Sequence, residues 1–211
     1  MKIALCVMFS AALVALGPVD AMAAEEASYE VLKQDGKFEV RQYAGHILAE
    51  TVVEGNLEDA GSKAFNRLFG YISGENKMQD KVAMTAPVSQ QPVGEKIAMT
   101  SPVGQQRDGE NWAVSFMMPE AYSMETLPEP NDPLIVLRQV PPRTMAAVRY
   151  SGFWSEKNYQ KHKAELEEWM AGEGLIIAGD PVWARYNAPF TPWFLRRNEI
   201  LVPVEAGGAR E

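Results

Sequence analysis

Two histidines, His46 and His162, and a single cysteine, Cys6, are the imidazole and thiol groups that this 211-residue chain offers. Cys6 lies inside an apolar run near the N-terminus, so a chain that loses that run keeps no thiolate nucleophile, disulfide or cysteine-based metal site. Two histidines far apart in sequence do not make a zinc site, which takes four ligands in close spacing. His162 shares a helical stripe with Tyr159, Leu166 and Trp169, which favours a packed, hydrogen-bonded ring. His46 opens a strand beside Gly45 and is the one candidate metal ligand. The sequence contains no G-x-S-x-G, no H-E-x-x-H and no glycine-rich phosphate loop, and its acidic residues are scattered. No enzyme activity is expected.

A different pattern stands out. The phrase KVAMTAPV at 81–88 returns as KIAMTSPV at 96–103. Paired as a hairpin with Val88 opposite Ile97, the two phrases put Met84 and Met99 on one face and Thr85 and Thr100 on the other. Pro87 and Pro102 lack an N–H and belong at sheet edges or bulges. One reading is an edge hairpin with a methionine-lined inner face. The other is that the Met84 and Met99 thioethers touch an apolar ligand, although methionine fills core gaps more often than it binds.

The elements that must position these residues follow from hydrophobic period. Tyr29–Gln34, Phe38–Tyr43 and Ile47–Val53 read as strands, with Asp35-Gly36 turning the first pair. Asn56 caps a helix over 57–73, whose apolar stripe centres on Leu57, Ala64 and Leu68. Phe65 lies on one margin of that stripe, with Phe69 further round beside Ser62. Strands follow at 112–118, 134–140 and 144–150, joined by a proline-rich connection over 119–133. Ser155 caps a second helix to about Ala171, and strands at 183–186 and 199–204 close the sheet.

A larger repetition lies beneath. RQYAGHILAETVVEG (41–55) falls on RQVPPRTMAAVRYSG (138–152) without a gap, an offset of 97. Ile47, Ala49, Thr51 and Val53 land on Thr144, Ala146, Val148 and Tyr150, which marks the same strand face twice. The expected fold is α+β, a distorted and mostly antiparallel β-barrel with two long helices outside it. Its pseudo-twofold comes from two β-β-α-β-β halves, about 28–119 and 134–204.

Net charge is −8, with 46% hydrophobic and 23% charged residues. An acidic chain without a Lys/Arg cluster is a poor partner for nucleic acid, whose binding rests on phosphate neutralisation. Lys2 and the apolar run 3–16, broken at Gly17-Pro18 and followed by Ala21-Met22-Ala23, have the form of a signal peptide over 1–23. Cleavage after Ala23, or after Ala24, implies a periplasmic or secreted protein with no membrane attachment. The tail 205–211 reads as loose.

KVAMTAPV and KIAMTSPV, WAVSFMMP (112–119), YSGFW (150–154) and YNAPF…LRRNEILV (186–202) together resemble the SOUL haem-binding family, over roughly 29–204. The resemblance implies a single domain over 28–204 that holds haem or a related tetrapyrrole non-covalently. Some animal members carry a histidine after the Arg of the strand that matches FEVRQY; here that position is Gln42. Other members hold the tetrapyrrole in an apolar cleft beside the first helix. By position that implies Ser62, Phe65 and Phe69 as contacts, with Met84 and Met99 nearby. Arg67 and Arg197 are the candidate propionate partners, and Tyr186 and Asn187 the loop contacts. For the pair Arg196-Arg197 a salt bridge with Glu199 or its neighbours is the favoured explanation, and for Asn187 a turn serves equally well. The alternative to a haem carrier or buffer is a domain on the same barrel that binds another small effector or a protein.

Overall fold

The computed structural model describes residues 24–77 and 94–205, with Glu58 placed by its backbone alone. In chain order its elements are β1 (Glu25–Glu26), β2 (Tyr29–Asp35), β3 (Phe38–Tyr43), β4 (His46–Val53), α1 (Leu57–Ile72) and β5 (Asn76–Lys77). Then come β6 (Thr100–Ser101), β7 (Val103–Asp108), β8 (Asn111–Met117), β9 (Glu129–Pro130), β10 (Val136–Val140) and β11 (Arg143–Tyr150). The chain continues with α2 (Glu156–Gly172), β12 (Val182–Arg185), a 3-10 turn (Trp193–Leu195) and β13 (Asn198–Pro203).

Nine of these strands form one curled antiparallel sheet in the order β10-β4-β8-β7-β12-β13-β11-β3-β2. Both helices pack on one face of it, so the fold is α+β, a half-barrel with two helices, as expected. The strand endings obey local chemistry. Gly36 turns the β2–β3 hairpin at φ +57°, a region that costs glycine nothing. The Asn56 side chain accepts from the Asp59 amide at 2.8 Å, and Ser155 accepts from Asn158.

The repeat at offset 97 is present in three dimensions. Residues 46–53 (β4) correspond to 143–150 (β11) end to end. Outward from the central β7–β12 pair the sheet reads β8-β4-β10 on one side and β13-β11-β3 on the other. Even the register repeats: Arg41 lies opposite Met145 just as Arg138 lies opposite Leu48. The first strand of each half is exchanged, because β3 pairs with β11 and β10 with β4.

The alternation seen in the sequence is the burial pattern. Ala49, Thr51, Ala146 and Val148 are buried on the helix side. There α1 contributes Ala64, Leu68 and Tyr71 to one apolar cluster with Ile47, Val114 and Phe116. Tyr159, Leu166 and Met170 of α2 join Trp183, Ile200 and Val202 in another. His162 stacks on Tyr150 at 4.1 Å and bonds Glu165 at 2.9 Å, the packed role read from its stripe.

One expectation needs correction. The second phrase does not turn Met99 inward: Met99 is 41% exposed, whereas Thr100 is buried and donates to the Met117 carbonyl. Alternation does not carry through, because 94–99 is not a strand, Thr100–Ser101 pairs in parallel with Glu25–Glu26, and the antiparallel ladder begins only at Val103. Met84 and the first phrase lie outside the described residues, so the hairpin between the phrases does too.

Candidate functional site

The helix-free face of the sheet is concave. Leu48 and Glu50 of β4, Ser115 and Met117 of β8, and Met145 of β11 point into it, the alternates of the residues that meet the helices. Its floor runs over Gly104 and Ala184, opposite each other at the pseudo-twofold, and these small residues leave room. A Cβ added at Gly104 would come within 2.8 Å of the Ser115 hydroxyl. The enclosed part of the groove is small, about 70 Å3, and it opens to solvent.

Three basic side chains stand at one end. Arg138 bonds Glu50 at 2.8 Å. His46 contacts the Ala44 carbonyl through Nδ1 at 3.1 Å, which places the proton of the neutral ring on that nitrogen and leaves the Nε2 lone pair free. Burial, then the charges of Arg143 and Arg138, push the His46 pKa below its ordinary value. Arg143 lies opposite Tyr43 in the β3–β11 register, and burial followed by Arg138 lowers its pKa.

The other end is a buried ionic knot. Glu199 has no exposed surface and accepts from Arg41 Nη1 at 2.6 Å, Tyr186 Oη at 2.9 Å and Arg197 Nε at 2.9 Å. Burial alone would raise its carboxyl; the hydrogen bond and charge of Arg41, then Arg197, outweigh that and hold it below the usual range. Burial pushes Tyr43 up to about 12, so it stays neutral. Arg197 stacks 3.7 Å above the Tyr186 ring and pairs with Glu26. Asn187 accepts from the Arg197 amide, and Asn198 holds Trp154 Nε1 at 2.8 Å. The phrases YNAPF and RRNEILV are therefore specific together because their members are one another's partners.

On the opposite face, Phe65 and Phe69 of α1 stack at 5.8 Å with their planes 11° apart, and Phe65 meets Phe116 edge-on at 5.3 Å. Phe69 is 47% exposed and Ser62 is exposed. Arg67 bonds Thr51 at 2.8 Å and pairs with Asp132 at 3.0 Å.

The residues expected from sequence thus fall in two places. Ser62, Phe65, Phe69 and Arg67 share the α1 face. His46 and Tyr186 line the groove through the sheet from it, while Arg197 and Asn187 belong to the knot. Met99 is exposed and is not among the residues that line the groove. Sequence reading missed Arg138, Arg143, Met117 and Met145. Arg138 was visible only as the repeat mate of Arg41. Among the described residues no cluster of three or more His, Cys, Asp or Glu is placed to hold a metal.

A curled antiparallel half-barrel with two helices on one face and an open groove on the other is a recognisable α+β class of fold. Within that class, the chain belongs to the family described as SOUL heme-binding protein, whose model matches residues 24–203. It is similar to heme-binding protein 2 of Mus musculus, at 23% identity over 84% of this chain and 86% of that protein. Heme-binding protein 1 of Mus musculus matches at 24% identity, over 80% and 84%. Among solved structures, a Listeria innocua protein described as a hydrolase superposes with TM-score 0.56 at 14% identity, covering 82% of this chain and 94% of its own. The EcmrR C-terminal domain superposes with TM-score 0.53 at 13% identity, over 85% and 99%. At such identities these two share the fold alone.

Proposed function

We propose that this protein binds haem or a related tetrapyrrole non-covalently, as an exported carrier or buffer and not as an enzyme. The observation that carries the reading is the Phe65–Phe69 stack, two near-parallel rings at the margin of an otherwise buried stripe, with Phe69 half exposed. Phe65 anchors the pair on the core through Phe116, and the open ring of Phe69 offers a surface that a flat macrocycle can cover. Family membership and the two mouse heme-binding proteins support the same ligand class.

Haem supplies an iron that wants axial ligands, and the chain's residues fit it only in part. Alternation along β4 turns His46 to the groove while Ile47 and Ala49 face α1, so a macrocycle on Phe69 lies across the sheet from His46. Binding then rests on apolar contact: a few hundred Å2 at about 25 cal/mol per Å2 gives several kcal/mol before association costs, enough for about micromolar affinity. Arg67 is already paired with Asp132, so a propionate would share it.

The test is a Soret titration of the mature protein with haem and with metal-free porphyrin. Both are expected to bind with similar affinity, and Phe69→Ala to weaken both by about tenfold, or 1.4 kcal/mol. His46→Ala is expected to leave haem affinity within about threefold. A low-spin spectrum that disappears in His46→Ala would overturn the α1 placement and move the ligand to the groove. Mass spectrometry of the exported protein tests the leader: a chain starting near Ala24 is expected, and an intact residue 1 would refute cleavage.

A further inference from the structure

We propose that the groove on the helix-free face is a second ligand site, for a small organic acid with an apolar body whose carboxylate is received by Arg143. The walls supply the apolar part: Leu48, Met117, Met145 and Leu201, with the Tyr43 ring. Met117, Met145 and Leu201 are themselves well covered, so the groove offers a shaped apolar floor and not a loose surface patch.

Charge identifies the other part. The ionisable groups facing Arg143 are Arg138, Glu50, His46 and Tyr43, and the Tyr43 hydroxyl, where the two ends meet, accepts from the paired Arg41 at 2.9 Å. Arg138 and Glu50 neutralise each other. His46 is held neutral and Tyr43 stays protonated. The Arg143 cation is left over, a local positive charge in a chain of net charge −8. Every other partly buried arginine among the described residues is engaged. Arg67 has Asp132, Arg185 has Gln105, Arg196 has two backbone carbonyls, and Arg197 has Glu26 and Glu199. Arg143 has neither a hydrogen bond nor an ion pair from its guanidinium among those residues. A half-buried guanidinium above an apolar groove is the complement of a carboxylate on a hydrocarbon or ring, and its fork suits two oxygens.

This site is independent of the α1 face, but a free organic acid and a tetrapyrrole propionate present the same carboxylate. The experiment separates them. Decanoate and its uncharged analogue decanol are titrated into the full mature chain by calorimetry, alongside metal-free mesoporphyrin followed by absorbance. Decanoate is expected to bind at least about tenfold more tightly than decanol, since only the carboxylate makes a charge-assisted hydrogen bond to Arg143. R143Q is expected to bring decanoate down to the level of decanol, and R143K to keep part of the preference. Gly104→Val, which fills the floor without touching the cation, is expected to abolish decanoate binding while mesoporphyrin binding persists. Equal affinity for decanoate and decanol, unchanged decanoate binding by a folded R143Q, or no decanoate binding up to about millimolar concentration would each overturn the proposal. If R143Q weakens mesoporphyrin as well and decanoate displaces it, the carboxylate site stands, its source is the propionate, and the α1 reading falls.

Discussion

Replacing Glu199 by Gln keeps the shape of the side chain and removes its charge. Arg41, only 2% exposed, then keeps Glu39 at 2.6 Å as its remaining carboxylate, and Arg197 keeps Glu26. Breaking one partner out of a buried ion pair costs about 3–5 kcal/mol, because the other charge stays buried. Glu39 offsets part of that, which places the expected loss near 3 kcal/mol. For a protein of this size that lowers the melting temperature by about 6–12 °C. Urea denaturation followed by tryptophan fluorescence reads the change in midpoint. The double variant Arg41→Met with Glu199→Leu removes both charges, and its cost is expected to be smaller than that of Glu199→Gln alone. The sign with pH follows from the depressed carboxyl. Its stabilisation is present above the unfolded value of 4.5 and is lost as pH falls through the lower folded value. Glu199→Gln should remove that acid limb. A loss below about 1 kcal/mol, or a double variant as unstable as the sum of the singles, would refute the reasoning.

His46 carries the opposite kind of pH dependence. Burial holds its folded pKa below the ordinary 6.5, so as pH falls the unfolded chain takes up the proton first. Stability is expected to climb as pH rises through that window and to level off above 6.5. Melting curves of His46→Gln should show the climb reduced. Thr100→Val leaves the buried Met117 carbonyl without its side-chain donor and should cost about 1–3 kcal/mol in urea denaturation. Met99→Ala, at an exposed position, is expected to stay within about 0.5 kcal/mol, and a larger cost would restore Met99 to the interior.

The sequence showed the sheet where burial repeats every second residue. Ala49 and Thr51, and their mates Ala146 and Val148, read as one face because the helices cover that face in both halves. The α1 stripe was legible for the same reason, down to the half-exposed position of Phe69. Met99 and Thr100 were not, since their inward or outward direction is set by a two-residue pairing with Glu25–Glu26, which no local period announces. The groove was also hidden. Leu48, Glu50, Ser115 and Met117 mix polar and apolar types and read as a solvent face; only the curl of nine strands makes them a wall. The phrase Arg197-Asn198-Glu199 was recognisable as a signature, yet its meaning, a carboxylate shared by Arg41, Tyr186 and Arg197, needed two partners from outside it, Arg41 and Tyr186.

The exchange of β3 and β10 has a kinetic side. Phe38 meets Val148 and Tyr43 meets Arg143, so β3 must wait about a hundred residues of chain before its inner edge is covered. Loop closure of that length makes the transition state slow to reach, and a sheet dominated by such pairings folds on the millisecond-to-second scale. Until then the unpaired edge of β3 is available to the β11 of another molecule, an intermolecular swap that completes the same ladder. The same geometry makes the two halves obligate companions. A chain cut within 119–134 yields two fragments that each lack one strand of their own sheet and hold the strand the other lacks. Mixed together they should reassemble, whereas neither alone should give a cooperative melt.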